Sequence, residues 1–163
     1  PDVIAHARGF VRALEDDAPM RGDDAPTTLA LAELSGIEFH YEPRGFVTRR
    51  RVVADHPLTE GLGEVGEWVQ VPYEDGANTY PYLAHPVVAT DATVLVEAEH
   101  ERCPYDGVAY VRRGEVAGVY PLLTVRNVGE GRVIRHYAQN SPATIFADAW
   151  EPLLRNILRV AAP

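Results

Sequence analysis

Glu97, Glu99, His100, Glu101, Cys103 and Asp106 crowd ten consecutive positions of this chain. Carboxylate, imidazole and thiolate are the donor types that hold transition metals. On a strand, Glu97 and Glu99 would share one face and could act as a carboxylate pair. The spacing matches no ligand pattern, because Cys-x-x-Cys and His-x-x-x-His are both absent. Glu99, His100 and Asp106 therefore stand only as candidate ligands, a polar loop on an acidic surface is the favoured reading, and no metal or other cofactor is expected.

Nucleophiles fare no better. Cys103 lies in Glu-Arg-Cys-Pro-Tyr-Asp, without the small neighbours that a strained nucleophile elbow requires. A packed thiol is expected instead. Ser35 and Ser141 are both explained by helix ends, and Gly-x-Ser-x-Gly does not occur. Sugar hydrolysis would need two carboxyl groups straddling a bond, and the 24 acids nominate no particular pair. No catalytic residue is assigned.

Ligand-facing candidates remain. His136 and Asn140 fall at and just beyond a strand end that precedes a helix, the place where α/β sheets put ligands. Packing of His136 and turn-shaping by Asn140 explain the same pair. Tyr73, Tyr80 and Tyr82 could stack on a sugar, and serve equally at a sheet edge or a subunit contact. Arg49-Arg50-Arg51 could grip an anion, but in an acidic protein they are expected on a solvated strand face or paired with carboxylates. Arg21-Gly22-Asp23 is read as a chance tripeptide.

The elements that must position these residues follow from periodicity. Val3, Ile4, Ala7, Phe10, Val11 and Leu14 recur on one helical face. A short helix is expected over 27–34, stopped by Gly36. Strands are expected over 37–41, 46–54, 67–73, 93–98 and 108–111, with a turn-rich stretch at 55–62, a long loop at 74–86 and a polar loop at 99–107. The runs 121–127 and 132–138 alternate around Val128-Gly129-Glu130-Gly131 and predict an antiparallel hairpin. Ser141-Pro142 suits a helix start, and Pro152 is expected to separate a short turn from a main helix over 153–161.

Composition bounds the class. The chain has 163 residues, 46% hydrophobic and 24% charged, as one globular domain over 1–163 would. Mixed α/β is the expected fold class. A net charge of −9 argues against nucleic acid as a partner. All 15 basic residues are Arg. A lone Cys rules out a disulfide framework, and no apolar run nears the ~20 residues of a membrane helix. Pro1-Asp2-Val3 is neither a signal peptide nor an initiator start. A cytoplasmic setting and a place late in a larger polypeptide are expected.

Four segments carry a family resemblance. His56-Pro57-Leu58-Thr59-Glu60-Gly61-Leu62 resembles the His-Pro-hydrophobic-Thr-x-Gly-Leu segment of β-galactosidase trimerisation domains, in the flavodoxin-like class I glutamine-amidotransferase superfamily. Trehalose-utilisation-type domains are close cousins. Residues 127–134 are similar to that group's Gly-x-Gly-Arg-Val hairpin, residues 153–162 to its Leu-Leu-x-Asn helix, and residues 29–37 to its Ala-Leu-Ala-Asp-Leu-Phe-Gly-Val. The segments occur in the right order over about 27–162. The resemblance implies a flavodoxin-like three-layer α/β arrangement, incomplete on its N-terminal side, with a C-terminal β-hairpin and packing helix. The group's opening strands and its Gly-Gly-Gly strand are not recognisable here.

What the resemblance implies for function is an accessory, oligomer-forming domain of a glycoside hydrolase. It would contact further copies or the catalytic domain of its parent, wall a neighbouring active site, and lack a Cys-His-Glu set. The alternatives are a small trehalose-utilisation-type enzyme acting on a sugar or metal-bound small molecule, and a carbohydrate-binding module.

Overall fold

The computed structural model describes residues 31–39, 45–71, 83–103, 114–138 and 151–161. Residues 31–35 are helical (α1), and Gly36 ends the helix with φ +66°. Among the described residues eight strands follow: β1 Ile37–Phe39, β2 Gly45–Val52, β3 Trp68–Gln70, β4 Leu83–Ala84, β5 Val87–Ala89, β6 Thr93–Arg102, β7 Val116–Val128 and β8 Gly131–His136. The helix α2 spans Glu151–Ala161. The expected helix over 3–14, the strand over 108–111, Tyr73, and the Ser141-Pro142 start lie outside the described residues.

The class is mixed α/β, and its sheets are antiparallel. One sheet has the order β3-β2-β6-β7-β8, with β4 also on β2; a second pairs β1 with β5. Among the described residues every strand pair is antiparallel, and the one parallel contact is the isolated Val52–Val65 bridge. A flavodoxin-like sheet is parallel, so the described strands do not form one. The physical reason is visible in β7 and β8: a two-residue reversal joins them, whereas parallel neighbours need a long crossover. Val128 faces Gly131 in register, and Gly129 takes φ +58° at the turn. The expected hairpin is present.

Several boundaries move. The polar loop expected at 99–107 is strand as far as Arg102, because Arg49 and Arg51 on β2 stand directly opposite Glu99 and Glu97 and neutralise the charges that made the segment look loop-like. β7 begins five residues before Pro121. That proline lacks an N–H for the ladder, and it falls beside a register shift at Val96/Glu97 where the pairing is already irregular. β4 and β5 were not expected. The main helix expected over 153–161 is α2, which starts two residues earlier and carries Pro152 in its first turn, where its missing N–H would have had no acceptor; the leading turn expected before it lies outside the described residues.

One core joins the large sheet to α2. Leu58, Leu95, Leu122 and Leu123 are fully buried, each contributing about 1.5–3 kcal/mol by removal from water. Leu153 packs with them, and Ile157 and Val160 extend the same helical stripe. A smaller cluster of Ala32, Ile37, Val87 and Tyr137 sits under α1 and the two-stranded sheet. Cys103 is buried, as expected of a packed thiol. No helix among the described residues is long and apolar enough to cross a membrane.

Candidate functional site

The acidic strand β6 divides its side chains between two faces. Glu97 and Glu99 share the outer face, as the alternation requires. Arg49 donates to Glu99 Oε2 through Nε and Nη2 at 3.1 and 2.6 Å, and Arg51 donates to Glu97 Oε2 at 3.0 and 2.9 Å. Both guanidinium groups lie over the Trp68 ring, 4.7 and 4.9 Å from its centre. Thr48 adds a hydrogen bond to Glu99 Oε1 at 2.9 Å. The Arg49 bond, more than any other contact, holds the Glu99 carboxyl below its ordinary range. These carboxylates are ion-pair partners and not a free acid–base pair. Arg50 points the other way and is buried.

His100 belongs to the opposite, inner face, so Glu99 and His100 do not converge as metal ligands. Asp106, the third candidate, lies outside the described residues. No group of three His, Cys, Asp or Glu side chains among the described residues could hold a metal ion. The His100 ring is fully buried, and neither ring nitrogen hydrogen-bonds to a described residue. It pairs in register with Val47 and Gly118 and lies 5.0 Å from the Tyr120 ring. Gly45 makes room for it: a Cβ there would sit 2.5 Å from His100 Cβ. Burial pushes the imidazole down to about 4, since a low-dielectric site penalises the charged form.

The turn after β2 is built around Thr59. Its Oγ1 donates to the carbonyl of His56 at 2.8 Å and accepts from the His56 N–H at 3.1 Å, closing the loop on itself. Leu58 N–H donates to His56 Nδ1 at 3.1 Å. A neutral imidazole that accepts at Nδ1 carries its proton on Nε2. The turn docks on α2, where Asn156 Nδ2 donates to the carbonyls of Leu58 and Glu60 at 3.2 and 2.7 Å. Arg159 donates to the Pro57 carbonyl at 3.0 Å and to Glu60 Oε2 at 2.5 Å.

The hairpin grips α1 in the same manner. Arg126 on β7 donates to the carbonyls of Glu33 and Leu34 and pairs with Asp91. Arg135 on β8 donates to Ser35 Oγ at 3.0 Å and lies over the rings of Phe39 and Tyr137. Cations near the last turn of a helix also suit the negative end of its dipole.

Two open depressions flank His56. The larger, of about 900 Å³, is lined by His56 with Asp55, Glu60, Glu64 and Arg159. The smaller, of about 420 Å³, is lined by His56 with Asp91, Thr93, Arg126, Asn127 and Arg132. Desolvation, and then the positive charge of Arg132, lower the His56 pKa, while Asp55 opposes them.

Of the residues nominated from sequence, His136 stands at the end of β8 opposite Leu123, half-buried. Asn140, Tyr80 and Tyr82 lie outside the described residues. Sequence reasoning passed over the group around His56. From sequence, His56 reads only as part of a turn motif, and Asn127 and Arg132 only as hairpin residues. The available signal was their placement on either side of a Gly-x-Gly reversal, opposite an Asp-containing turn. Comparison with family models, curated proteins and solved structures finds no match for this chain.

Proposed function

We propose that this chain is a non-catalytic accessory domain of β-galactosidase trimerisation type, joining subunits of a cytoplasmic glycoside hydrolase. The observation that carries the reading is how the four resembling segments meet. The 56–62 turn docks on α2 through Asn156 and Arg159, and the 127–134 hairpin region holds the end of α1 through Arg126 and Arg135. Asn156, Arg159 and Arg126 donate to backbone carbonyls in these contacts, which is scaffold work. Val116 and Val119 are exposed on β7 and supply apolar surface of the kind that subunit contacts bury.

The flavodoxin-like layering that belongs to this reading requires parallel strands other than those described here. The accessory role does not depend on it, because oligomer formation asks only for a rigid domain with a contact face.

Sedimentation velocity on the purified protein tests the proposal. A concentration-dependent oligomer that Val119→Asp dissociates, with an unchanged melting temperature, is the expected result. A monomer at all concentrations overturns the proposal.

A further inference from the structure

The smaller depression beside His56 is built from donors. Thr93 opens β6, Asn127 is next to last in β7 and Arg132 is second in β8; Asn127 and Arg132 are register partners. Arg132 donates through Nε to Asn127 Oδ1 at 3.4 Å, and has no carboxylate partner among the described residues. That contact turns the Asn127 oxygen toward Arg132 and leaves its amide N–H groups available. His56 has its Nδ1 occupied by the Leu58 N–H, so Nε2–H is the ring's remaining donor. The two other charges at the rim cancel, since Arg126 is paired with Asp91 and tied to the end of α1. What remains is one uncompensated guanidinium, an imidazole N–H, an amide and a hydroxyl, on a protein whose net charge is −9.

We infer that this depression is a binding site for a small hydroxylated molecule carrying an oxyanion, with Arg132 as the charge partner and His56 Nε2–H, Asn127 and Thr93 as hydrogen-bond donors. A guanidinium matches a phosphate or carboxylate geometrically as well as electrically. The space of about 420 Å³ exceeds what a bare phosphate fills and falls in the range of small-molecule sites. The body of the ligand reaches past His56 toward the larger depression, where Asp55 and Glu64 are acceptors suited to hydroxyl groups. Phosphate and carboxylate share this chemistry, and a sugar phosphate and a sugar acid are the two sources.

The site is independent of the proposed subunit-joining role, and its test reads a different quantity. The His56 ring resonances are followed by NMR during titration with glucose 6-phosphate, glucuronate, inorganic phosphate and glucose. At least one of the two sugar anions shifts the His56 signals saturably and more tightly than inorganic phosphate, and whichever does so identifies the anion. Glucose alone leaves the signals unmoved. Arg132→Gln weakens the binding about tenfold or more, as loss of a charge-assisted contact does, while the sedimentation behaviour and melting temperature stay as in the parent. Absence of a saturable shift with either sugar anion overturns the inference. So does equal binding by the Arg132→Gln variant, or a response to glucose as strong as to the anions.

Discussion

The side-chain amide of Asn156 closes on the carbonyl of Leu58 across 98 residues of chain. The same Nδ2 also reaches the carbonyl of Glu60. Asn156 is buried, and it interrupts the apolar stripe of α2 where a leucine would fit the periodicity. A polar residue in that position pins the turn after β2 to one place on the helix, because buried carbonyls must find donors.

Asn156→Leu is expected to lower stability by about 1–3 kcal/mol despite its greater apolarity, since it leaves two carbonyls without their donor. Urea unfolding followed by circular dichroism measures this. A variant as stable as the parent would show that the turn finds other donors.

His100 makes stability depend on pH. Its pKa is about 4 in the folded protein, against about 6.5 for an exposed histidine. Between those values the unfolded chain binds more protons, so stability falls as pH drops from about 6.5 to about 4, and the effect is complete below that. The total is about 3 kcal/mol. His100→Leu should flatten this part of the profile. An identical acid slope in parent and variant would assign the loss to other groups. Glu99 acts in a lower window: with its pKa depressed, its contribution is present above the ordinary carboxylate range and is lost as pH falls through the folded value.

Gly45→Ala tests the seat of the His100 ring. The added Cβ would fall 2.5 Å from His100 Cβ, and overpacking of this kind costs about 1–3 kcal/mol. In a His100→Gly background, which removes that Cβ, the same substitution should cost much less. A double-mutant cycle on melting free energies reads the coupling, and additive effects would refute it.

Glu99→Gln should matter little. Arg49 is 38% exposed, and pairs open to water contribute at most about 1 kcal/mol. A loss well beyond that, by chemical denaturation, would mean that the Arg–Glu–Trp68 face acts as a single network.

The sequence disclosed the hairpin and the apolar stripe of α2 because their signals are local: a Gly-x-Gly reversal between alternating runs, and Leu153, Ile157 and Val160 at helical spacing. It concealed the length of β6, because Glu99–Arg102 reads as loop until Arg49 is known to stand opposite. It concealed the direction of the sheet for a similar reason, since which strands are neighbours is a long-range property. His56 and Arg132 were invisible as a group, because β3 to β7 lie between them in the chain and only the fold brings the two into one place.

Gripping α1 with Arg126 and Arg135 also has a kinetic consequence. The β7–β8 hairpin needs only a two-residue closure, and such hairpins form in about 1–10 μs. The carbonyls of α1 lie about a hundred positions earlier in the chain, and bringing them in costs loop entropy that short-range pairing does not. On this topology the late-translated hairpin nucleates first and the earlier helix waits to be captured, so slowing substitutions should concentrate at the reversal and not in the helix.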